Sequence, residues 1–249
     1  MTVLPFIAIL GSLGAYALGS LALRGAVASQ RAATLRANPL ELVARFTAIA
    51  LNAGLNVFLW HILVPSWGLI VGAVLAVIGL GSFSPLATRD RYQSVLGWSS
   101  WLMPMSWPST ALGAIVFVVT CLLGRVRADA ATGTIETSGL PPMFGFRGGL
   151  SLGNFTFLMG APPTPFRAVG ISAHEIGHTL NVAAFGSVWH LLGNGIEQNL
   201  PRFGRGAKAY GELMAESHRP DPEALWLAQW GRGDKGALDT ALASGPSSS

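Results

Sequence analysis

Residues 168–184 read AVGISAHEIGHTLNVAA, and this stretch predicts a buried helix that carries two histidines one turn apart. Since His174 and His178 are four positions apart, both imidazoles lie on one face of such a helix. Two imidazoles with that spacing can bind one Zn²⁺ ion at about 2.0–2.1 Å. The neighbouring side chains are mostly apolar, and buried histidines need partners. We therefore predict a zinc site on this helix, with Glu175 placed to act as a general base and not as a ligand.

The composition of the chain indicates a membrane protein. Only 11% of its 249 residues are charged and 51% are hydrophobic, with a mean hydropathy of +0.48. The formal charge of +4 is modest and no basic patch is interleaved with aromatic residues, so the sequence gives no support for nucleic-acid binding. The single cysteine, Cys121, excludes a disulfide framework and a zinc site built from cysteines.

Apolar stretches in the first half of the chain predict about four transmembrane helices, because roughly 20 apolar residues are needed to cross a bilayer. None of these stretches contains Asp, Glu, Lys or Arg, so we do not expect an ion or proton pathway through them. The stretches are residues 4–23, 46–64, 67–83 and a fourth segment that ends at residue 123.

The character of the chain changes near residue 128, where shorter apolar runs predict a small α+β domain. Residues 132–137 and 150–158 show the patterns of strands, and the helix with the two histidines follows them. Gly, Pro and Ser dominate the end of the chain and predict a disordered tail. The predicted organisation is a mainly α membrane protein with a transmembrane region at 1–127, the small domain at 128–230 and the tail at 231–249.

A catalytic zinc ion usually has three protein ligands and one open position, so a third ligand is needed. Since the single cysteine, Cys121, lies in an apolar stretch far from this helix, we expect that ligand to be a carboxylate. Glu212 and Glu216 are one turn apart on a predicted helix, so one can bind the metal while the other holds a ligating imidazole from behind. Glu197 is a further alternative, although it lies between Gly195 and Pro201, where a helix is hard to sustain. We favour Glu212 and keep Glu216 and Glu197 as alternatives.

The motif HEIGH at 174–178, followed by Glu212 with an acid at Glu216, resembles the gluzincin metallopeptidases. Within that class, the thermolysin and membrane CAAX-protease types pair a helical glutamate ligand with an acid four residues later, usually Asp. The resemblance covers residues 149–218 and does not extend to the apolar stretches. It implies a zincin-like metallopeptidase domain at 128–230.

The resemblance also implies a substrate site. The strand that contains Asn154 and Phe155 is expected to be an edge strand that pairs with the backbone of a substrate above the active helix. Tyr210, His190 and His218 are candidates for the side chain that stabilises the oxyanion, and the sequence does not separate them.

We therefore predict an integral-membrane zinc metallopeptidase that hydrolyses peptide bonds close to the bilayer, in peptide or membrane-protein substrates. Two alternatives stay open: a non-catalytic membrane scaffold with a structural or vestigial metal site, and a zinc hydrolase that does not act on proteins. By the positive-inside rule, the arginines between the predicted spans place the zinc domain on the non-cytoplasmic side of the cell membrane. Arg125 and Arg127 argue against this topology.

Overall fold

A computed structural model of the chain describes residues 3–23, 38–142, 148–160, 165–199 and 209–218. Over these residues the fold is mostly helical and contains one small four-stranded sheet. This confirms the predicted mixture of many helices with a small α+β part. The tail predicted at 231–249 lies outside the described residues.

Five α-helices lie in the described part of the first half of the chain, residues 3–23 and 38–120. Asn38 begins the second of them by accepting hydrogen bonds from the backbone N–H groups of Leu40 and Glu41, which is the usual role of an N-cap residue. The helices are α1 (Val3–Ala22), α2 (Pro39–Leu63), α3 (Gly68–Leu80), α4 (Asp90–Ser100) and α5 (Trp107–Thr120).

Helices α2 and α3 form a tight hairpin. A Cβ atom at Gly72 would lie 2.6 Å from the Cα atom of Val57, so only glycine allows the two backbones to approach this closely.

The helices only partly match the four predicted transmembrane spans. Among the described residues one helix, Pro39–Leu63, is long and apolar enough to cross a bilayer. The pair Asp90–Ser100 and Pro104–Thr120, bent by 79°, would be a second span if it is counted as one broken helix. The apolar helices Phe6–Ala22 and Gly68–Phe83 are shorter. The structure therefore does not show four transmembrane helices. The fourth predicted span is broken near Pro104, because proline has no N–H group for the backbone hydrogen bond that would continue the helix.

The sheet contains β1 (Arg125–Asp129), β2 (Thr134–Leu140), β3 (Gly148–Leu152) and β4 (Phe155–Met159) in the order β1-β2-β4-β3. Strands β2 and β4 are parallel, and the other two pairs are antiparallel.

Strand β4 is internal, so the prediction that the strand with Asn154 and Phe155 is an edge strand is wrong. Gly153, with φ of 63°, and Asn154 form a two-residue turn that splits the predicted strand 150–158 into a hairpin. The edge strand on this side of the described sheet is β3.

The two faces of the sheet differ in polarity. One face is apolar, and its Phe155 and Phe157 belong to a buried cluster that packs against α5. The other face carries Glu136, Ser151 and Thr156 and lies against the helix with the two histidines. A polar layer therefore separates this helix from the sheet.

The helix with the histidines, α6 (Pro165–Ser187), lies at the centre of the fold. Its last turn is broken at Gly186, where φ is 85°. Asn52 of α2 donates to the carbonyl groups of Ala183 and Ala184 at 3.0 and 2.9 Å, and so satisfies helix-end groups that would otherwise be buried without a partner. A π-helical turn and two short helices follow, at Val188–Asn194, α7 (Gly195–Asn199) and α8 (Tyr210–Ser217).

One buried cluster joins both halves of the chain. It combines Tyr16 of α1 and Ile49 of α2 with Trp189, Tyr210 and other residues from beyond position 180. Helices α1 and α2 therefore share their core with the elements that carry the candidate site.

Candidate metal centre

Helices α6 and α8 bring His174, His178 and Glu212 together. One nitrogen or oxygen atom from each of the three side chains lies within 4.8 Å of the others, and all three residues are buried. The Nε2 atoms of the two histidines are 3.1 Å apart. The carboxylate of Glu212 lies 3.0 Å from His174 Nε2 and 3.3 Å from His178 Nε2. This cluster could hold a metal ion, as the spacing of the histidines predicts.

Two glycines allow the helices to meet at this point. A Cβ atom at Gly177, between the two histidines, would lie 2.9 Å from the backbone carbonyl carbon of Ala215 on α8. A Cβ atom at Gly211 would lie 2.6 Å from the Cβ atom of Asn194. Glycine at position 177 lets α8 pack directly on α6, and glycine at position 211 lets α8 approach the π-helical turn that carries Asn194, so that Glu212 reaches the histidines.

Two polar residues orient two of the three side chains of the cluster. Glu216 accepts a hydrogen bond from Nδ1 of His174, which turns Nε2 of that ring toward the cluster. Asn194 donates to Oε1 of Glu212 at 3.1 Å. Metal-binding histidines usually have such a carboxylate partner behind them. Of the two roles predicted for Glu216, this contact fits the supporting role and not the alternative one as a ligand.

Glu175 is buried beside the cluster, next to the edge strand β3. A Cβ atom at Gly149 of β3 would lie 2.5 Å from Cγ of Glu175 and closer still to its carboxylate. Glycine at this position therefore leaves room for the Glu175 side chain between helix and strand. Sequence reasoning missed Gly149, although the pair Gly148-Gly149 was a visible signal of close backbone approach.

His174 and Glu212 favour their charged forms although both side chains are buried. Burial lowers the pKa of His174, but hydrogen bonds to Glu212 and Glu216 outweigh it and raise that pKa to about 10. Burial raises the pKa of Glu212, yet His178 and His174 bring it well below its usual range. The imidazole of His174 and the carboxylate of Glu212 therefore stabilise each other's charged forms in this buried place.

The three oxyanion candidates already have hydrogen-bond partners. Tyr210 donates its hydroxyl hydrogen to Glu41 of α2 at 3.0 Å, and burial together with this carboxylate raises its pKa well above the usual value. His190 Nε2 lies 3.1 Å from the carbonyl oxygen of Ser151. His218 Nε2 lies 2.9 Å from Oδ1 of Asn181.

Both histidines among these candidates are neutral near pH 7. Burial, with the nearby His178, lowers the pKa of His190 to about 4, and burial lowers that of His218 to about 4 as well. A neutral imidazole has a single N–H group, and here it is used in the bonds to Ser151 and Asn181. The oxyanion role of these residues stays a prediction that their contacts do not support.

Asn154 and Phe155 make contacts inside the fold. The side-chain amide of Asn154 donates to Ser100 Oγ at 2.5 Å, and its Oδ1 accepts from Thr110 at 3.1 Å, so it ties the hairpin to α4 and α5. Phe155 is buried in the apolar cluster between the sheet and α5. These contacts and the internal position of β4 give no support to the substrate-binding prediction for the two residues.

Glu197 is not part of the cluster, and its contacts give no support to the prediction of this residue as an alternative ligand. It lies on α7, a short helix that the sequence did not predict. Its carboxylate accepts hydrogen bonds from the hydroxyl groups of Tyr16 and Ser20 and from the backbone N–H of Tyr210.

No family model, curated protein or solved structure matches this chain. The resemblance to gluzincins therefore rests only on the motif at 174–178 and on the two acids Glu212 and Glu216.

Proposed function

We propose that the protein is a membrane-embedded zinc metallopeptidase. The observation that carries the proposal is the buried convergence of His174, His178 and Glu212 on one point, with Glu175 beside them. Two imidazole nitrogens and one carboxylate are a ligand set of catalytic zinc, and they leave a fourth position for a reacting molecule. Glu216 behind His174 supports the same reading, because outer carboxylates of this kind fix the ring of a zinc ligand.

The reaction follows from the roles of these side chains. A bound Zn²⁺ ion would act as a Lewis acid and lower the pKa of a coordinated water to near 7. Glu175 would accept a proton from the attacking water and pass it to the leaving amine. Glu216 and Asn194 would keep His174 and Glu212 in the geometry that the reaction needs.

The edge strand β3 is the proposed place for the substrate backbone. An extended peptide can add to the exposed edge of a sheet through main-chain hydrogen bonds. Gly149 lies on this strand and touches Glu175, so a peptide bound along β3 would present a peptide bond next to the base.

The lipid bilayer is proposed as the medium around the helices. Large apolar side chains form exposed stripes at helical spacing, which water would disfavour and acyl chains would cover. On this basis we propose that the four apolar segments lie in the cell membrane, with the metal centre on its non-cytoplasmic side. The stripes are Val3, Phe6, Ile7 and Leu10 on α1, Ile70, Val74 and Val77 on α3, and Ile115, Val118, Val119 and Leu122 on or just after α5.

Metal content and hydrolysis, measured on the same purified full-length samples, test the proposal. We expect about one Zn²⁺ per wild-type chain, and cleavage of fluorogenic peptides in detergent or liposomes. Glu175→Gln should keep the metal and lose hydrolysis by roughly 10²–10⁴-fold, because it removes only the base. The double change His174→Ala and His178→Ala should lose both, whereas His61→Ala, on an exposed histidine, should lose neither.

A Glu175→Gln protein that loses its zinc would contradict the assignment of Glu175 as a base. A wild-type chain that binds zinc and cleaves no peptide would support the scaffold alternative.

A further inference from the structure

The N-terminus of α8 is held by residues from elsewhere in the chain. The first backbone N–H groups of a helix have no partner within that helix. In α8 the N–H of Tyr210 donates to Oε2 of Glu197 at 2.8 Å, and the N–H of Gly211 donates to the hydroxyl oxygen of Tyr16 at 3.1 Å. The next residue is Glu212, the carboxylate member of the metal cluster.

The two capping groups also hold each other. The hydroxyl of Tyr16 donates to the same Oε2 atom of Glu197 at 2.6 Å, and Ser20, one turn later on α1, donates to Oε1 at 2.6 Å. Glu197 is buried, so its carboxylate depends on these donors in place of water.

Packing leaves this arrangement little freedom. A Cβ atom at Gly19 of α1 would lie 2.5 Å from Cζ of Tyr210, and one at Gly193 would lie 2.5 Å from Cδ2 of Tyr16. The Tyr16 ring also packs edge-on against Trp189 and Tyr210, with centroids 4.8 and 5.4 Å apart. A shift of α1 would therefore also shift the first turn of α8.

We propose that Tyr16 and Glu197 are positioning residues for the metal ligand Glu212. They fix the two backbone N–H groups before Glu212, and Asn194 then fixes its carboxylate. In this proposal the apolar helix α1 helps to position a metal ligand, in addition to its proposed place in the membrane. This inference rests on the metal-binding part of the proposed function and not on peptide hydrolysis.

Metal affinity of the full-length protein in detergent tests this role. Tyr16→Phe removes one hydroxyl, and we expect it to weaken Zn²⁺ binding about tenfold in competition with a chelator, as removal of outer-shell support does at other sites. The absorption spectrum of the Co²⁺-loaded protein should change as well, because the carboxylate ligand moves. Tyr92→Phe is the matched control, since its hydroxyl contacts Ser82 and Ile78 and not the cluster; it should leave both readouts unchanged.

A double-mutant comparison separates positioning from general destabilisation. In a Glu212→Ala background, Tyr16→Phe should cause no further loss of affinity, because the residue it positions is gone. An affinity within about twofold of wild type for Tyr16→Phe, or a loss that persists without Glu212, would overturn the proposal. If Tyr16→Phe gives no folded protein, Glu197→Gln decides by the same criteria.

The outcomes for function are distinct. A wild-type chain that binds metal without cleaving peptides would refute the peptidase and leave the positioning role standing. A wild-type chain that binds no metal would overturn both.

Discussion

Gly149 and Glu175 approach so closely that a single methyl group on the glycine would lie 2.5 Å from Cγ of the glutamate. Any residue other than glycine at position 149 would therefore displace either strand β3 or the Glu175 side chain. Since Glu175 is the proposed base, this contact links the edge strand directly to catalysis.

Gly149→Ala should consequently lower kcat by roughly 10–100-fold, because a displacement of about 1 Å at a reacting group has effects of that size. Metal content should not change, because the atoms nearest to the added Cβ atom all belong to Glu175 and not to the proposed ligands. Gly54→Ala is the control, since in the described part of the chain no atom outside its own helix lies within 4 Å of the added Cβ atom. Equal activity of the Gly149→Ala and wild-type proteins would show that Glu175 is not crowded by β3.

Replacement of Glu216 by Gln should weaken zinc binding by about tenfold, the lower end of the range for outer-shell partners. The amide can still accept a hydrogen bond from His174, but the negative charge behind the ring is lost. Titration against a chelator measures the effect. Glu136→Gln is matched to it, because Glu136 contacts Ser172 on the same helix and not the cluster. Similar losses in both variants would argue against a specific role for Glu216.

The free energy of unfolding should decrease at acidic pH, and protonation of His218 should account for part of the decrease. Its pKa is about 4 in the folded protein and about 6.5 when unfolded. Its contribution is therefore fully present above about pH 6.5 and is lost as the pH falls toward 4, because the unfolded chain binds the proton more strongly.

His218→Gln keeps a donor for Asn181 and should reduce the loss of unfolding free energy between pH 7.5 and 5 by about 2 kcal/mol. Thermal or denaturant unfolding in detergent at the two pH values measures this difference. An unchanged pH dependence would mean that His218 accepts a proton in the folded protein.

The exposed stripe on α5 distinguishes a bilayer from water. Val118→Asp should cost about 2.5–3.5 kcal/mol of membrane insertion if the helix is in lipid, and close to nothing on a surface in water. Val126→Asp, on the exposed strand β1, is the matched change outside the apolar helices. The amount of protein recovered in the membrane fraction reports the difference. Equal recovery of the two variants would contradict the membrane proposal for α5.

The metal cluster could be predicted from the sequence because its main signal is local. The spacing of His174 and His178 fixes their common face on any helix, and the one-turn spacing of Glu212 and Glu216 assigns them complementary roles. These inferences need no knowledge of tertiary contacts.

The supports of the cluster could not be predicted in the same way. Tyr16 and Glu197 are 181 positions apart, and nothing in a single sequence links a tyrosine in an apolar stretch to a glutamate far downstream. Gly153-Asn154 is different, since this dipeptide is a known hairpin signal. The alternating pattern of 150–158 concealed it, and the error about the edge strand followed from that.

The cluster of Tyr16, Ile49, Trp189 and Tyr210 joins α1 and α2 to the elements that carry the candidate metal centre, so we expect these described parts to unfold together. A fragment that begins near residue 128 would leave Trp189 and Tyr210 without the neighbours that α1 and α2 provide. Binding of a ligand to the folded state alone stabilises everything that folds with it. Zinc bound on α6 and α8 would therefore also hold α1 and α2 in place, and a chelator would lower the unfolding temperature of these two helices together with that of the proposed metal centre.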